Sequence, residues 1–367
     1  MAGSSFGTVF QISTWGESHG KGVGVVIDGC PAGIPLCEED IQKYLDRRKP
    51  GQSKFTTARQ EGDKAVIMSG IFEGKTAGTP ISIVVENTDQ RSHDYSDIMN
   101  VYRPGHADYT FDKKYGFRDY RGGGRSSGRE TIGRVAAGAV AAKFLGTLGV
   151  QIEAYTKSIG PVEIDYSRFD IKAREENRLY MPDVEAAKEA EFFLEQCMAE
   201  QDSAGGVVEC VIKGLPAGIG EPVFDKLDAD LAKAIFSIGA VKGFEIGDGF
   251  AAAKAKGSFN NDGFCLNEKG NITKRTNHAG GILGGISDGS DVIFRAAFKP
   301  TPSISSVQKT VTRDGGERDI MIKGRHDPII VPRAVVVVEA MAAITAADLL
   351  LISLASRADR IETMLFE

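Results

Sequence analysis

The chain of 367 residues is poor in the side chains that build metal centres and covalent staples, with five cysteines, five histidines and one tryptophan. Cys30, Cys37, Cys197, Cys210 and Cys265 are scattered, odd in number and never spaced CxxC. That excludes a zinc ribbon and a disulfide framework and reads as free thiols in a reducing compartment. HxxxH and HExxH pairs are absent, so His106/Asp108 and His326/Asp327 offer isolated ligands and no metal is expected. Positive charge is not in excess either. A net charge of −6 and a pI near 5.6 argue against general adhesion to nucleic acid or to an anionic membrane surface. The first charged side chain is Glu17, so no basic leader region precedes it and a secretory signal is not expected. One long apolar run, residues 334–355, has the length of a membrane span but carries Glu339 and Asp348, which are costly inside a bilayer. A helix buried in a soluble core is the better expectation.

What is abundant is glycine, 44 residues, and it meets arginine in RGGGRSSGRETIGR, residues 121–134. Glycine lets the backbone turn through positive φ and approach a ligand closely. Arginine grips phosphate or carboxylate with a planar fork of donors. Ser127 and Glu130 have the spacing of a capping box, and the apolar residues after Arg134 predict a buried helix over 130–148. A loop emptying into a helix N-terminus favours anions. The bland reading pairs these arginines with neighbouring acids; the expectation is an anion site, because so many guanidinium groups would otherwise repel one another. Arg47, Arg48, Lys49, Lys54 and Arg59 offer a second basic wall beyond a helix predicted over 38–48.

Strands are expected at 23–29, 65–70, 81–87 and 291–298, whereas residues 87–120 show no period and read as a long functional loop. Two internal echoes imply related halves. VIDGCPAGI at 26–34 matches VIKGLPAGI at 211–219 in seven of nine positions, and GIFEGKTAGTPI at 70–81 aligns with GILGGISDGSDV at 281–292. The first pair is 185 residues apart and the second 211, so 26 more residues separate the echoes in the second half. The repeat also removes a decoy: GIFEGKT is one residue short of a P-loop, and a strand rather than a helix follows it.

Three histidines occupy loops: His19 in GESHG, His106 in RPGHAD and His326 in GRHDP. Their protons move near neutral pH, so beside an arginine-rich loop they point toward general acid chemistry on a phosphate ester, although a structural hydrogen bond is an equal reading for any one of them. KPTPSIS at 299–305 adds a lysine and hydroxyls in a proline-fixed turn.

In this order, GESHG, RPGHADYT, DYRGGGRSSGRET, EIGDGF, NHAGGILGGIS and GRHDP resemble the chorismate synthase family over essentially the full chain. The resemblance implies an α/β fold: a sandwich of helices between two antiparallel sheets with an internal pseudo-twofold repeat, a single domain of residues 1–367 whose halves run approximately 1–195 and 196–367. It implies a lyase of the shikimate pathway that eliminates phosphate from 5-enolpyruvylshikimate 3-phosphate to give chorismate. Reduced FMN is required without net redox change. The C6 hydrogen that leaves is not acidic, so flavin electron density makes chemical sense. Residue by residue, it makes His19, His106, Asp327 and Ser127 catalytic. It places FMN against Arg125, Ser126, Ser127, Gly239, Ala240, Gly280, Lys299, Pro300, Thr301, Pro302, Ser303 and Arg325. Arg48, Arg129 and Arg134 would face substrate anions, and Arg48 and Lys54 are linked to NADP in relatives. Two departures stand out: Gly239 where many relatives carry Asn, and Lys54 where Arg is common. The family implies a cytoplasmic homotetramer without nucleic-acid or membrane partners. An external flavin reductase would supply reduced flavin, with NAD(P)H only the indirect reductant. The rivals are a flavin-dependent oxidoreductase acting on a phosphorylated metabolite, which would consume NAD(P)H with each turnover, and a phosphate- or RNA-binding module.

Overall fold

The computed structural model describes residues 3–51, 54–55, 61–88, 98–121, 123–322 and 327–366. In the first half lie strands β1 (Ser5–Phe6), β2 (Gln11–Gly16), β3 (Gly22–Asp28), β4 (Val66–Ile67), β5 (Ile71–Phe72), β6 (Lys75–Thr76) and β7 (Ile81–Glu86). The remaining strands are β8 (Gln151–Ile159), β9 (Val162–Glu163), β10 (Gly206–Lys213), β11 (Val241–Ile246), β12 (Phe264–Leu266), β13 (Ile272–Lys274), β14 (Ile282–Leu283), β15 (Ile286–Ser287), β16 (Val292–Phe298), β17 (Gln308–Val311) and β18 (Glu317–Ile320). Helices are α1 (Glu38–Arg48), α2 (Asp108–Tyr115), α3 (Thr131–Thr147), α4 (Ala173–Glu176), α5 (Val184–Ala199), α6 (Leu227–Phe236), α7 (Gly257–Asn260), α8 (Val331–Ser353) and α9 (Ala358–Phe366). Two five-stranded antiparallel sheets result, ordered β1-β2-β3-β7-β4 and β11-β16-β10-β8-β9. Alternation sets which face is buried: Val292, Phe294, Ala296 and Phe298 of β16 point inward, as do Ile81, Ile83 and Val85 of β7.

The two long apolar helices lie between hydrophobic neighbours. Helix α3 packs on β2 and β3 and against α8, and α8 packs on β8 and β10. The apolar run is thus a core helix, buried almost throughout and opened by Pro332 in its first turn. Small residues let α3 come close. A Cβ on Gly138 would stand 2.3 Å from the Cβ of Ala340, so only glycine fits that crossing. The expected helix boundaries hold within a few residues. The unpatterned stretch 87–120 is a partial miss: helix α2 lies inside it, with Asp108 in its first turn and Gly116 closing it in the left-handed conformation.

The two echoes occupy equivalent surroundings. The Thr76 hydroxyl donates to the Pro31 carbonyl (2.6 Å) and accepts from the Ile34 amide (3.0 Å). The Ser287 hydroxyl donates to the Pro216 carbonyl (2.6 Å) and accepts from the Ile219 amide (2.9 Å). Each Pro-Ala-Gly turn is therefore closed by one hydroxyl from a short hairpin, β5–β6 in the first half and β14–β15 in the second. The near P-loop is one of those hairpins.

A buried carboxylate ties the halves together. Glu339, in the middle of α8, accepts from Arg47 Nη1 (2.6 Å) and Nη2 (3.0 Å), from Arg174 Nη1 (3.2 Å) and from the Ala154 amide (2.9 Å). Its side chain is 4% exposed, so removing it strands two guanidinium groups and a backbone donor. Glu339→Ala is expected to lose about 3–5 kcal/mol of unfolding free energy in urea titrations; a loss below about 1 kcal/mol would show that this hub is dispensable.

Candidate active site

The glycine-arginine segment is not one helix cap but two successive 3₁₀ turns, Gly124–Ser126 and Gly128–Glu130, before α3. The capping box does not form. Ser127 Oγ accepts from the Arg129 amide at 3.3 Å, and Glu130 turns its carboxylate to Arg134 Nε at 2.9 Å. Arg121 pairs with Asp119 on the surface. Arg125 donates to the carbonyls of Gly16 (3.1 Å) and Thr14 (3.2 Å) and to the Thr14 hydroxyl (2.7 Å), straddling the end of β2. Arg134 reaches Ser237, hydroxyl and carbonyl, at the end of α6. The repulsion expected among these arginines is thus relieved by carboxylates and carbonyls of the protein; for Arg121 and Arg134 the partners are the neighbouring acids Asp119 and Glu130, as the bland reading had it.

The centre of one wall is Asp63. Its carboxylate accepts from Arg48 Nη2 (2.6 Å) and Arg129 Nη1 (2.9 Å), and all three side chains are buried. Burial alone would raise the Asp63 pKa; the two guanidinium groups hold it below the ordinary value. Burial takes the Arg48 pKa down to about 10 despite Asp63, with Arg333 adding repulsion. Arg48 Nε and Arg129 Nη2 make no hydrogen bond among the described residues; Glu61 stands 3.6 Å from the latter. Asp63 adopts φ +43°, a conformation unusual outside glycine, at the point where the chain must insert a carboxylate between two arginines. Asn87 accepts from Arg129 Nε. His19 is half-buried in the turn that Asn87 ties to Arg129, and Asp119 is held below its usual pKa chiefly by Arg121, with a contribution from His19.

A second wall joins the 103–106 loop to residues 299–303. His106 Nε2 meets Ser303 Oγ at 2.9 Å and its Nδ1 meets the Pro104 carbonyl at 3.0 Å. Lys299 Nζ donates to the Gly105 carbonyl (2.8 Å), and Arg103 and Asp108 form a bidentate pair beneath the loop. Burial first, then the nearby charges of Arg103 and Lys299, push the His106 pKa down to about 4. Burial also lowers Lys299. Thr301 Oγ1 is buried with no hydrogen-bond partner among the described residues.

Hydrogen bonds connect the walls. Arg333 donates from Nε to the Arg48 carbonyl (3.0 Å) and from Nη1 to Asp327 (2.8 Å). The next residue, Pro328, accepts from the Ala204 amide (2.8 Å), and Ser203 donates to the Thr301 carbonyl (2.7 Å). The Lys299 amide donates to the Ala240 carbonyl (2.9 Å), which brings Gly239 and Ala240 to the same edge. Nothing lies within 4 Å of where a Gly239 Cβ would stand, so the backbone does not require glycine there.

Three expected residues fall elsewhere or cannot be placed. Gly280 accepts from the Ile293 amide near the start of β16, whereas Lys299 follows its end; six residues of strand separate these points by ~20 Å. Lys54 pairs with Glu195 of α5 on the surface. Arg325, with His326 and Arg59, lies outside the described residues. Sequence reasoning missed Asp63, Asn87 and Arg333. The signal available for Asp63 was the acidic Glu61–Asp63 segment just after a basic stretch.

The neutral state of His106 is testable. Its imidazole should titrate near pH 4 in the flavin-free protein, by ¹H–¹⁵N spectra of the five histidines. Because the unfolded imidazole binds its proton near pH 6.5 and the folded one does not, stability should fall as pH drops from about 6.5 toward 4. His106→Gln should flatten that fall; a midpoint at or above pH 6 would contradict the burial argument.

Comparison with known proteins adds an independent line. The family model described as chorismate synthase matches residues 10–351. The chain is 66% identical over 362 residues to the chorismate synthase of Lachnoclostridium phytofermentans, covering 99% of each chain. It is 54% identical over 351 residues to that of Chloroflexus aggregans, covering 96% of each. A crystal structure of a chorismate synthase superposes with a TM-score of 0.77 at 32% identity, covering 98% of this chain and 97% of the other.

Proposed function

This chain belongs to the chorismate synthase family, and on that footing we propose how its own residues carry the family reaction. It is a lyase of the shikimate pathway that eliminates phosphate from 5-enolpyruvylshikimate 3-phosphate to give chorismate. The observation that carries the residue assignment is the pair of buried guanidinium groups, Arg48 and Arg129, sharing Asp63 while each keeps a buried N–H without a hydrogen bond among the described residues. Such donors suit an incoming phosphate or carboxylate, which gains charge-assisted bonds without first freeing the arginines from water.

Reduced FMN fits the second wall, where the orphaned Thr301 hydroxyl, the Lys299 cation and the open space at Gly239 form a polar edge able to hold an anionic, planar group. When bound, it would lend electron density as the carbon–oxygen bond breaks and take it back as the C6 hydrogen leaves. Lys299 to Ser303, with Gly239 and Ala240, would hold that group. Arg125 acts by fixing the end of β2, and with it the neighbouring Ser126 and Ser127 turns. His106 is neutral when the site is empty and becomes protonated as anions accumulate around it; it then returns the proton to the departing phosphate. Ser303 holds the imidazole in register. Asp327, held by Arg333, would accept the proton that leaves C6; the Arg333 bond supports this by fixing its carboxylate. His19 shares the acid–base work beside Arg129, and Ser127 stands in the turn that carries Arg129. Arg134 secures the Gly239 edge through Ser237 and supports substrate anions from there.

The enzyme is read as a cytoplasmic homotetramer supplied with reduced flavin by a separate reductase, with NAD(P)H consumed only there and Arg48 or Lys54 the expected points of any nicotinamide contact. Gly280, at the far end of β16 from Lys299, fits that assembly by serving a flavin held partly by a neighbouring copy; Arg325 is expected among the flavin contacts. The two sheets and the helices between them are read as a sandwich, and the matching hydroxyl-closed turns favour a pseudo-twofold relation between the halves in a single domain.

Under anaerobic conditions, chemically reduced FMN and 5-enolpyruvylshikimate 3-phosphate should give equal amounts of chorismate and phosphate, without stoichiometric NAD(P)H consumption. His106→Ala should bind FMN within a few-fold of the parent yet lose about 10²–10⁴ in turnover. Unchanged turnover in that variant would move the acid to another residue.

A further inference from the structure

We infer that Asn87 is a positioning residue that locks the His19 turn to the substrate arginine Arg129. The inference rests on the reading of those two residues given above. Asn87 follows β7 directly. Its backbone amide donates to the Lys21 carbonyl (3.1 Å). Its side-chain Nδ2 donates twice, to the carbonyls of Glu17 (3.0 Å) and Gly20 (2.8 Å). These are the two ends of a tight turn closed by the Gly20 amide on Glu17 (3.1 Å), with Ser18 and His19 at its corners. The remaining polar atom, Oδ1, accepts from Arg129 Nε.

The orientation of the amide follows from its partners. Reversed, it would set an oxygen against two carbonyls and an NH₂ against a guanidinium. One planar side chain thus fixes the turn bearing the imidazole and one edge of the guanidinium. The other edges of Arg129 are held by Asp63 (2.9 Å) and approached by Glu61 (3.6 Å). A shift of Arg129 toward a bound anion is passed through Asn87 to the His19 turn, because hydrogen bonds join both arms of the one planar amide. Arg125 holds the residue just before this turn through the Gly16 carbonyl (3.1 Å).

The two arms can be cut separately. Asn87→Asp keeps an acceptor for Arg129 but puts an oxygen against the two turn carbonyls. Asn87→Ala removes both arms. With the full-length enzyme and reduced FMN, both variants should lose about ten- to a hundredfold in kcat through misplacement of the imidazole. Only Asn87→Ala should raise KM for the phosphate ester, about fivefold or more, because only there does Arg129 lose its Nε acceptor. A merely structural role would lower both variants alike and leave KM untouched. The flavin-free protein supplies a readout independent of turnover: in ¹H–¹⁵N spectra of the five histidines, Asn87→Ala should shift the His19 ring signals and leave those of His106 and His278 in place. Wild-type kcat in Asn87→Asp, equal KM in the two variants, or an unmoved His19 signal would each overturn the inference. His19→Ala separates this from failure of the parent reading. Full turnover in that variant would remove His19 from the chemistry altogether, whereas impaired turnover together with an unmoved His19 signal in Asn87→Ala would sink the Asn87 link alone.

Discussion

Two guanidinium groups cannot share a dry space unless negative charge lies between them, and the whole first wall is built around meeting that condition with Asp63. Arg48 arrives from the last turn of α1 and Arg129 from the turns before α3, elements held together mainly by apolar packing. Burying either arginine alone would cost several kcal/mol, and the shared carboxylate offsets that only because it touches both. The arrangement is preorganised rather than stabilising: the same volume filled with apolar side chains would serve the fold as well. What the ion cluster adds is a pair of aimed donors that need little rearrangement when an anion arrives.

The same logic of buried compensation recurs where the chemistry does not need it. Glu339 gathers Arg47, Arg174 and the Ala154 amide. Asp348 accepts three backbone amides, from Thr8, Val9 and Phe10, and so fixes the entry into β2. Both acids lie in the one helix among the described residues that is long and apolar enough to cross a membrane, and both are spent on neighbours rather than on solvent. They are why that helix reads ambiguously by hydropathy and unambiguously by contact: a charged group inside a core needs named partners, and these have them.

Periodic features were legible in the sequence because they depend on residues close along the chain. Helices α1, α3 and α8, strands β3, β7 and β16, and the paired Pro-Ala-Gly turns all follow from local pattern, and His19, His106 and the 299–303 turn were found as motifs. What escaped was pairing across long separations. Nothing near Arg129 in sequence announces Asp63, 66 residues away, or Asn87, 42 residues away. The capping-box spacing of Ser127 and Glu130 misled because Arg134, one helical turn on, competes for the same carboxylate and wins with a charge-assisted bond. Helix α2 was hidden by the polar, aromatic sequence around it, since its stability comes from the Arg103–Asp108 and Arg118–Asp112 pairs rather than an apolar stripe.

Charge compensation also explains why a neutral histidine and a crowd of cations can coexist before substrate arrives. His106 is kept neutral first by burial, which disfavours its charged form, and then by the nearby charges of Arg103 and Lys299. On the proposed reading, a polyanion settling nearby would offset that field and draw a proton onto the imidazole. On that reading the proton need not be stored in the ligand-free protein, where burial makes it expensive; the charge of the substrate would recruit it. The arginines face the same change of field differently. Being ionised in both states, they respond by moving or by gaining bonds, and the bonds to Asp63 and Asn87 limit how far they can move. Read this way, the proposed site would divide its labour by side-chain type: guanidinium groups would carry position, and the imidazole the variable charge.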